Sequence, residues 1–214
     1  MANRSTSGFG LRMAMRLGNT PAIGGQSKYA IKSGLGVGIF KGNPASIQLA
    51  GDTGYIQDSA FSTTDDGNDG GIDFTTANDA LLVGVHNGVF FINGTTDKPT
   101  FANSVAASTT FGTNPNTNST DGVAFVNDDP DQEYVVKADA AVGQAIFGLC
   151  GNINDFAAGD AKDGASTATF DSGTQGETKM FRIVRSAEDP DNEDLTAAGA
   201  NIIVVINAAA NTYR

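Results

Sequence analysis

Leu81-Leu82-Val83-Gly84-Val85-His86-Asn87-Gly88-Val89-Phe90-Phe91-Ile92 is the strongest strand signal in the chain. Val83, Val85, Val89, Phe90, Phe91 and Ile92 are the branched and aromatic types that fit a pleated, largely buried surface. Asn87-Gly88 in its middle reads in two ways: a tight type I′ turn making a hairpin, or a kink inside one long strand.

The same signal recurs in shorter form on both sides. Val123 to Val126 and Glu133 to Lys137 read as strands around the turn Asp128-Asp129-Pro130-Asp131. Thr178 to Arg185 alternates apolar and basic residues and breaks at Asp189-Pro190-Asp191-Asn192. Ile202 to Ile206 is continuously apolar and predicts a closing strand buried on both faces. Upstream, Leu35-Gly36-Val37-Gly38-Ile39-Phe40 alternates branched residues with glycine and predicts a strand with one bare face. Asn103 to Thr120 is rich in Ser, Thr and Asn and predicts a surface excursion, and Ala138 to Phe147 is the one good candidate helix. Composition agrees with a loop-rich β protein. The chain has 20 Asp and 18 Asn against 4 Glu, and the short side chains favour turns over helix interiors. The expected fold class is therefore mainly β, a sandwich or barrel of short antiparallel strands with one short helix and an extended N-terminal arm.

The arm follows from the charge. Residues 1–51 hold Arg4, Arg12, Arg16, Lys28, Lys32 and Lys41 and no acid, while the remainder holds all 24 acids and seven bases. A leader of +6 thus precedes a body of −17, which suits an arm that lies on an acidic partner and a body that faces water. Residues 1–28 are expected as that extended basic arm and 29–214 as a β-rich body with room for a small subdomain. In Leu11-Arg12-Met13-Ala14-Met15-Arg16-Leu17, apolar and basic residues alternate except at Ala14. A strand laid across another protein has that pattern, and so do a short amphipathic helix and a disordered tail.

Chemical motifs are sparse. A single cysteine, Cys150 within an apolar run, excludes an intramolecular disulfide and reads as a buried thiol. One histidine, His86, rules out a multi-histidine metal site, and no Ser stands in a Gly-x-Ser-x-Gly elbow. Gly34, Gly36 and Gly38 approach a dinucleotide loop, but Ile39 occupies the place of its third glycine. Asp65, Gly67, Asp69 and Gly70 give half of a calcium loop, with Thr76 where the closing Glu belongs. Nothing reads as a membrane span of ~20 apolar residues, and the acidic body is unsuited to nucleic acid. No enzyme, cofactor or metal site is expected.

Several segments together resemble structural proteins of tailed phages, marine and cyanobacterial ones among them, that decorate or cement the capsid. They are Met1-Ala2-Asn3-Arg4 with Gly8-Phe9-Gly10-Leu11, Ala22-Ile23-Gly24-Gly25-Gln26 leading to Tyr29, and Gly38-Ile39-Phe40-Lys41-Gly42 followed by Gly54-Tyr55-Ile56. Leu82 to Phe90, Lys98-Pro99-Thr100-Phe101-Ala102-Asn103, and Ala124-Phe125-Val126 with Asp128-Asp129-Pro130 continue the series. Phe181-Arg182-Ile183-Val184, Pro190-Asp191-Asn192 and Ile203-Val204-Val205-Ile206-Asn207 close it. The resemblance implies a β-rich protein held in many copies on the outer capsid surface, assembled in the host cytoplasm. Its partners would be the major capsid protein and itself, as trimers rather than dimers, with no nucleic acid and no membrane.

The expected function is thus a capsid decoration or cement protein, with Arg4, Phe9, Leu11, Arg12, Met13, Met15 and Arg16 as its capsid-binding arm. The alternative is a calcium-dependent carbohydrate- or surface-binding β module using the Asp-rich turns. A hydrolytic enzyme is disfavoured by the absent nucleophile motif and second histidine.

Overall fold

The 82–92 run forms one unbroken strand. The computed structural model describes residues 3–18, 20–22, 24–48, 53–58, 82–154, 159–176 and 179–213. Among these the strands are, in chain order, β1 (Arg12–Arg16), β2 (Thr20–Pro21), β3 (Ser27–Ile31), β4 (Ile39–Phe40) and β5 (Pro44–Ile47). There follow β6 (Ile56–Asp58), β7 (Leu82–Ile92), β8 (Pro99–Ala102), β9 (Ser104–Val105) and β10 (Gly122–Asn127). Last come β11 (Gln132–Lys137), β12 (Cys150–Asn154), β13 (Thr169–Gln175), β14 (Phe181–Ser186) and β15 (Asn201–Ile206). Met1, Ala2, Ile23, Asp52, Leu81, Thr178 and the whole acidic 59–78 segment, with its half calcium loop, lie outside the described residues.

Two large antiparallel sheets result. The first runs β13-β12-β14-β15-β11-β1-β2 and the second β3-β10-β7-β5-β6, with β8 also on β7; a ribbon of β4 and β9 adds a third element. The arrangement is compatible with a sandwich, and neither sheet closes into a barrel among the described residues. Of the two readings of Asn87-Gly88, the kink holds. His86 pairs with Val126 and Gly88 with Phe125, so Asn87 is the extra residue of a bulge. The backbone at Gly88 has φ 155°, a region open chiefly to glycine.

Each sheet has its own core. Tyr134, Val136, Phe170, Phe181, Ile183, Ile202, Val204 and Ile206 form the larger, joined by Leu82 and Val85 of β7. Ile31, Ile39, Ala45, Ile56, Val105, Phe111, Ala124 and Val126 form the second, joined by Val83, Val89 and Phe91 of the same strand. β15 is buried along its whole length, as its continuous apolar run predicts. Cys150 is likewise buried and free.

Three expectations are corrected. Ala138 to Phe147 is no α-helix: only Gln144–Ile146 makes a 3-10 turn. The N–H groups of Val142 and Gly143 both donate to the Leu195 carbonyl, and positive φ at Gly143 and Gly148 brackets the turn, so tertiary pairing overrides local propensity. Leu35 to Phe40 is a strand only at Ile39–Phe40, because the chain bends at Gly36 and Val37. The Asn103 to Thr120 excursion is mostly irregular, yet it contributes β9 and sends Val105 and Phe111 into the second core.

The largest correction concerns the arm. Residues 12–16 do form a strand, but it lies on β11 of its own chain, with Arg12 opposite Val135, Met13 opposite Tyr134 and Arg16 opposite Gln132. The expected boundary at residue 28 falls inside β3, which pairs with β10. A segment whose backbone donors and acceptors are already in a sheet is part of the body, not an appendage.

Candidate binding cleft

The N-terminal segment reaches β1 through close backbone passages. The Gly10 N–H donates to the Ala168 carbonyl at 3.0 Å and the Leu11 N–H to the Gly42 carbonyl at 2.8 Å. Gly10 has φ 69°, and a Cβ there would meet the Ser166 Cβ at 2.6 Å, so only glycine lets the chain turn here. Leu11 then enters the larger core.

Two of the basic residues expected to grip a partner grip the chain's own acidic turns. Arg4 pairs with Asp191 at 3.0 Å, an exposed contact of small energetic weight. Arg16 sits against Asp129, its Nε 2.6 Å from the carboxylate, with Asp131 3.7 Å away. The turn carboxylates have further work inside the fold. Asp128 accepts from the Tyr29 hydroxyl at 2.8 Å, and Asp189 from the side chains of Asn192 at 3.2 Å and Asn201 at 2.6 Å. These bonds hold the Asp189 carboxyl below the usual range. Among the described residues no group of three His, Cys, Asp or Glu side chains could hold a metal ion.

Arg12 is arranged differently. Its guanidinium lies 4.3 Å from the centroid of the half-buried Phe9 ring, whose other cationic neighbour is the Lys137 ammonium at 5.6 Å. Lys137 is itself buried and donates to the carbonyls of Ser5 at 2.9 Å and Gly199 at 3.3 Å and to Asn192 Oδ1 at 3.4 Å. Burial lowers its pKa, nearby Asp189 opposes this, and Arg12 adds to it.

Beside this cluster opens a cleft of about 330 Å³. Phe9, Leu11, Arg12 and Met13 line it together with Lys41, His86 and Asn127, and among the described residues no carboxylate does. Neither Arg12 nor Lys41 has an ion-pair partner among the described residues. Met13 is fixed by Asn127, whose Nδ2 donates to its sulfur at 3.0 Å and to the Gly25 carbonyl at 2.9 Å; the buried Tyr134 hydroxyl donates to Asn127 Oδ1 at 2.9 Å. The structure thus brings together four of the seven residues expected in the arm and leaves Arg4, Met15 and Arg16 elsewhere. Met15 is exposed on another groove with Val135, Arg185 and Ile203. Lys41 belongs to the basic leader by charge, but no spacing in the sequence marks it, His86 or Asn127 as neighbours of Phe9.

His86 forms a wall, not a reactive centre. It is enclosed in β7, its Nε2 is 3.2 Å from the Gln57 carbonyl, and its Nδ1 meets no partner. Burial pushes its pKa down to about 4, so the imidazole is neutral. Against the outer side of the larger sheet, Glu133 is fully enclosed and satisfied by a two-pronged bond from Arg185 at 2.7 and 2.8 Å.

No protein-family model, curated protein or solved structure matches the chain. Among the described residues no helix is long and apolar enough to cross a membrane.

Proposed function

We propose that the chain is a non-enzymatic capsid decoration protein that seats an acidic segment of the major capsid protein in the Phe9–Arg12–Lys41 cleft. One observation carries this reading. In a chain of net charge −11, the cleft gathers two cations without ion-pair partners among the described residues, and no described acid lines it. A carboxylate placed there gains charge-assisted bonds, while an apolar neighbour packs on Phe9, Leu11 and Met13. The resemblance to phage cement proteins supports the same reading, as does an acidic exterior suited to water. Decoration stabilises a shell by mass action, since a ligand that binds only the assembled lattice shifts its equilibrium against rupture. Self-association into trimers on the outer surface would add avidity.

The test is charge reversal, because deleting residues 1–20 would remove Leu11 and β1 from the fold. Arg12→Glu combined with Lys41→Glu is expected to weaken binding to particles stripped of this protein by at least about tenfold. Wild-type binding should also weaken with added salt, as exposed charges do. Binding of the double variant equal to that of the wild type, at unchanged melting temperature, sinks the proposal.

A further inference from the structure

The second sheet carries an aromatic face that the shell-binding reading leaves unused. Phe90 on β7 lies directly opposite Phe101 on β8, and Phe125 on β10 lies opposite Gly88. The Phe90 and Phe101 ring centroids are 4.6 Å apart, and those of Phe101 and Phe125 are 6.4 Å apart with planes within 20°. Phe101 is 74% exposed, the most open of the large apolar side chains among the described residues. A shallow, open depression of about 460 Å³ lies beside it.

The polar lining of this depression is selective. Its polar lining residues are Gln26, Asn87 and Asn103, of which Asn87 also borders the Phe9–Arg12–Lys41 cleft, and among the described residues no charged side chain lines it. Asn103 donates its Nδ2 to the Asp163 carbonyl at 2.8 Å. The carboxamides of Gln26 and Asn87 make no hydrogen bond within the described fold. Asn87 is the extra residue of the β7 bulge, and at Gly88, with φ 155°, a Cβ would come within 3.4 Å of the Ala102 carbonyl oxygen. Bulges of this kind re-aim a side chain next to binding sites.

We propose that this face binds a neutral carbohydrate, with a pyranose C–H face on Phe101 and the sugar hydroxyls on the carboxamides of Gln26 and Asn87. Aromatic rings present a negative face that attracts polarised C–H bonds. A carboxamide offers both donor and acceptor, which matches the dual character of a hydroxyl. An apolar face of a second copy would cover the rings but leave both carboxamides without partners, which is costly once they are buried. Among the described residues no carboxylate lines it, so the proposed contacts call for no calcium, unlike those of a calcium-dependent module.

The experiment applies the full chain to an array of immobilised neutral glucans, galactans and mannans, with sulfated glycans as controls. Retention on at least one neutral glycan, unchanged by EDTA, is expected. Phe101→Ala and Asn87→Ala should each weaken that retention about tenfold or more, equivalent to roughly 1.4 kcal/mol, with unchanged melting temperature. Arg12→Glu with Lys41→Glu should retain full glycan binding, so a failure of the shell-binding reading leaves this test intact. Retention on no neutral glycan overturns the proposal, as does retention that Phe101→Ala leaves unaltered. An oligomer that Phe101→Ala dissociates, without any glycan binding, assigns this face to a second copy instead.

Discussion

His86 shows how one side chain can set a pH limit without doing chemistry. Its ring is buried, one nitrogen faces the Gln57 carbonyl, and the other has no partner to share a proton. The folded pKa of about 4 lies below the ordinary value of 6.5, so the unfolded chain binds a proton here that the folded chain refuses. Stability from this residue is complete above pH 6.5 and falls as pH drops toward 4, by up to ~1.4 kcal/mol per pH unit. Wild type should therefore lose about 2–3 kcal/mol more than His86→Gln between pH 7 and pH 4.5. Urea unfolding of both proteins at the two pH values measures this; equal losses would remove His86 as the cause. The carboxylates titrate in both proteins and cancel in the difference.

At the scale of elements, β1 is where the sequence is readable in kind but silent about partner. Its alternation fits a strand, a short amphipathic helix or a disordered tail; a strand forms, and the edge it joins belongs to β11 of the same chain. Period two reports one face against another; it does not say whose backbone supplies the neighbouring bonds. Branched runs such as β7 and β15 were legible because their side chains alone dictate burial. Ala138 to Phe147 was not, since helix-favouring composition lost to the hydrogen bonds that Val142 and Gly143 donate to the carbonyl of Leu195, far away in sequence. Of the cleft, the leader residues Leu11, Arg12 and Met13 stood out by charge and alternation and Phe9 by the resemblance alone, whereas Lys41 and Asn127 meet them only through the sheet pairing. Because Leu11 is a core residue, Leu11→Ala should cost about 2–5 kcal/mol and lower the melting temperature by at least about 4 °C. Differential scanning fluorimetry reads this. A shift within one degree would mean that the N-terminal segment does not pack as the structure has it, and would return the free-arm picture to favour.

The whole molecule is joined by β7, whose Leu82 and Val85 pack in one core while Val83, Val89 and Phe91 pack in the other. The backbone repeats the coupling: β1 is held to the larger sheet by β11, and Leu11 just before it bonds Gly42, whose own N–H donates to His86 of β7. A strand shared by two cores cannot leave one without disturbing the other, so the cores should melt together despite lying on different sheets. Ile202→Ala opens a cavity in the first core and Ile39→Ala in the second; each removes a fully buried side chain and should cost about 2–5 kcal/mol. Both substitutions are expected to move one and the same calorimetric peak down by about 5–15 °C. The calorimetric and van't Hoff enthalpies should remain equal in each variant. A scan in which Ile39→Ala shifts an early peak and leaves a later one in place would mean that the sheets unfold as separate units and that β7 does not couple them.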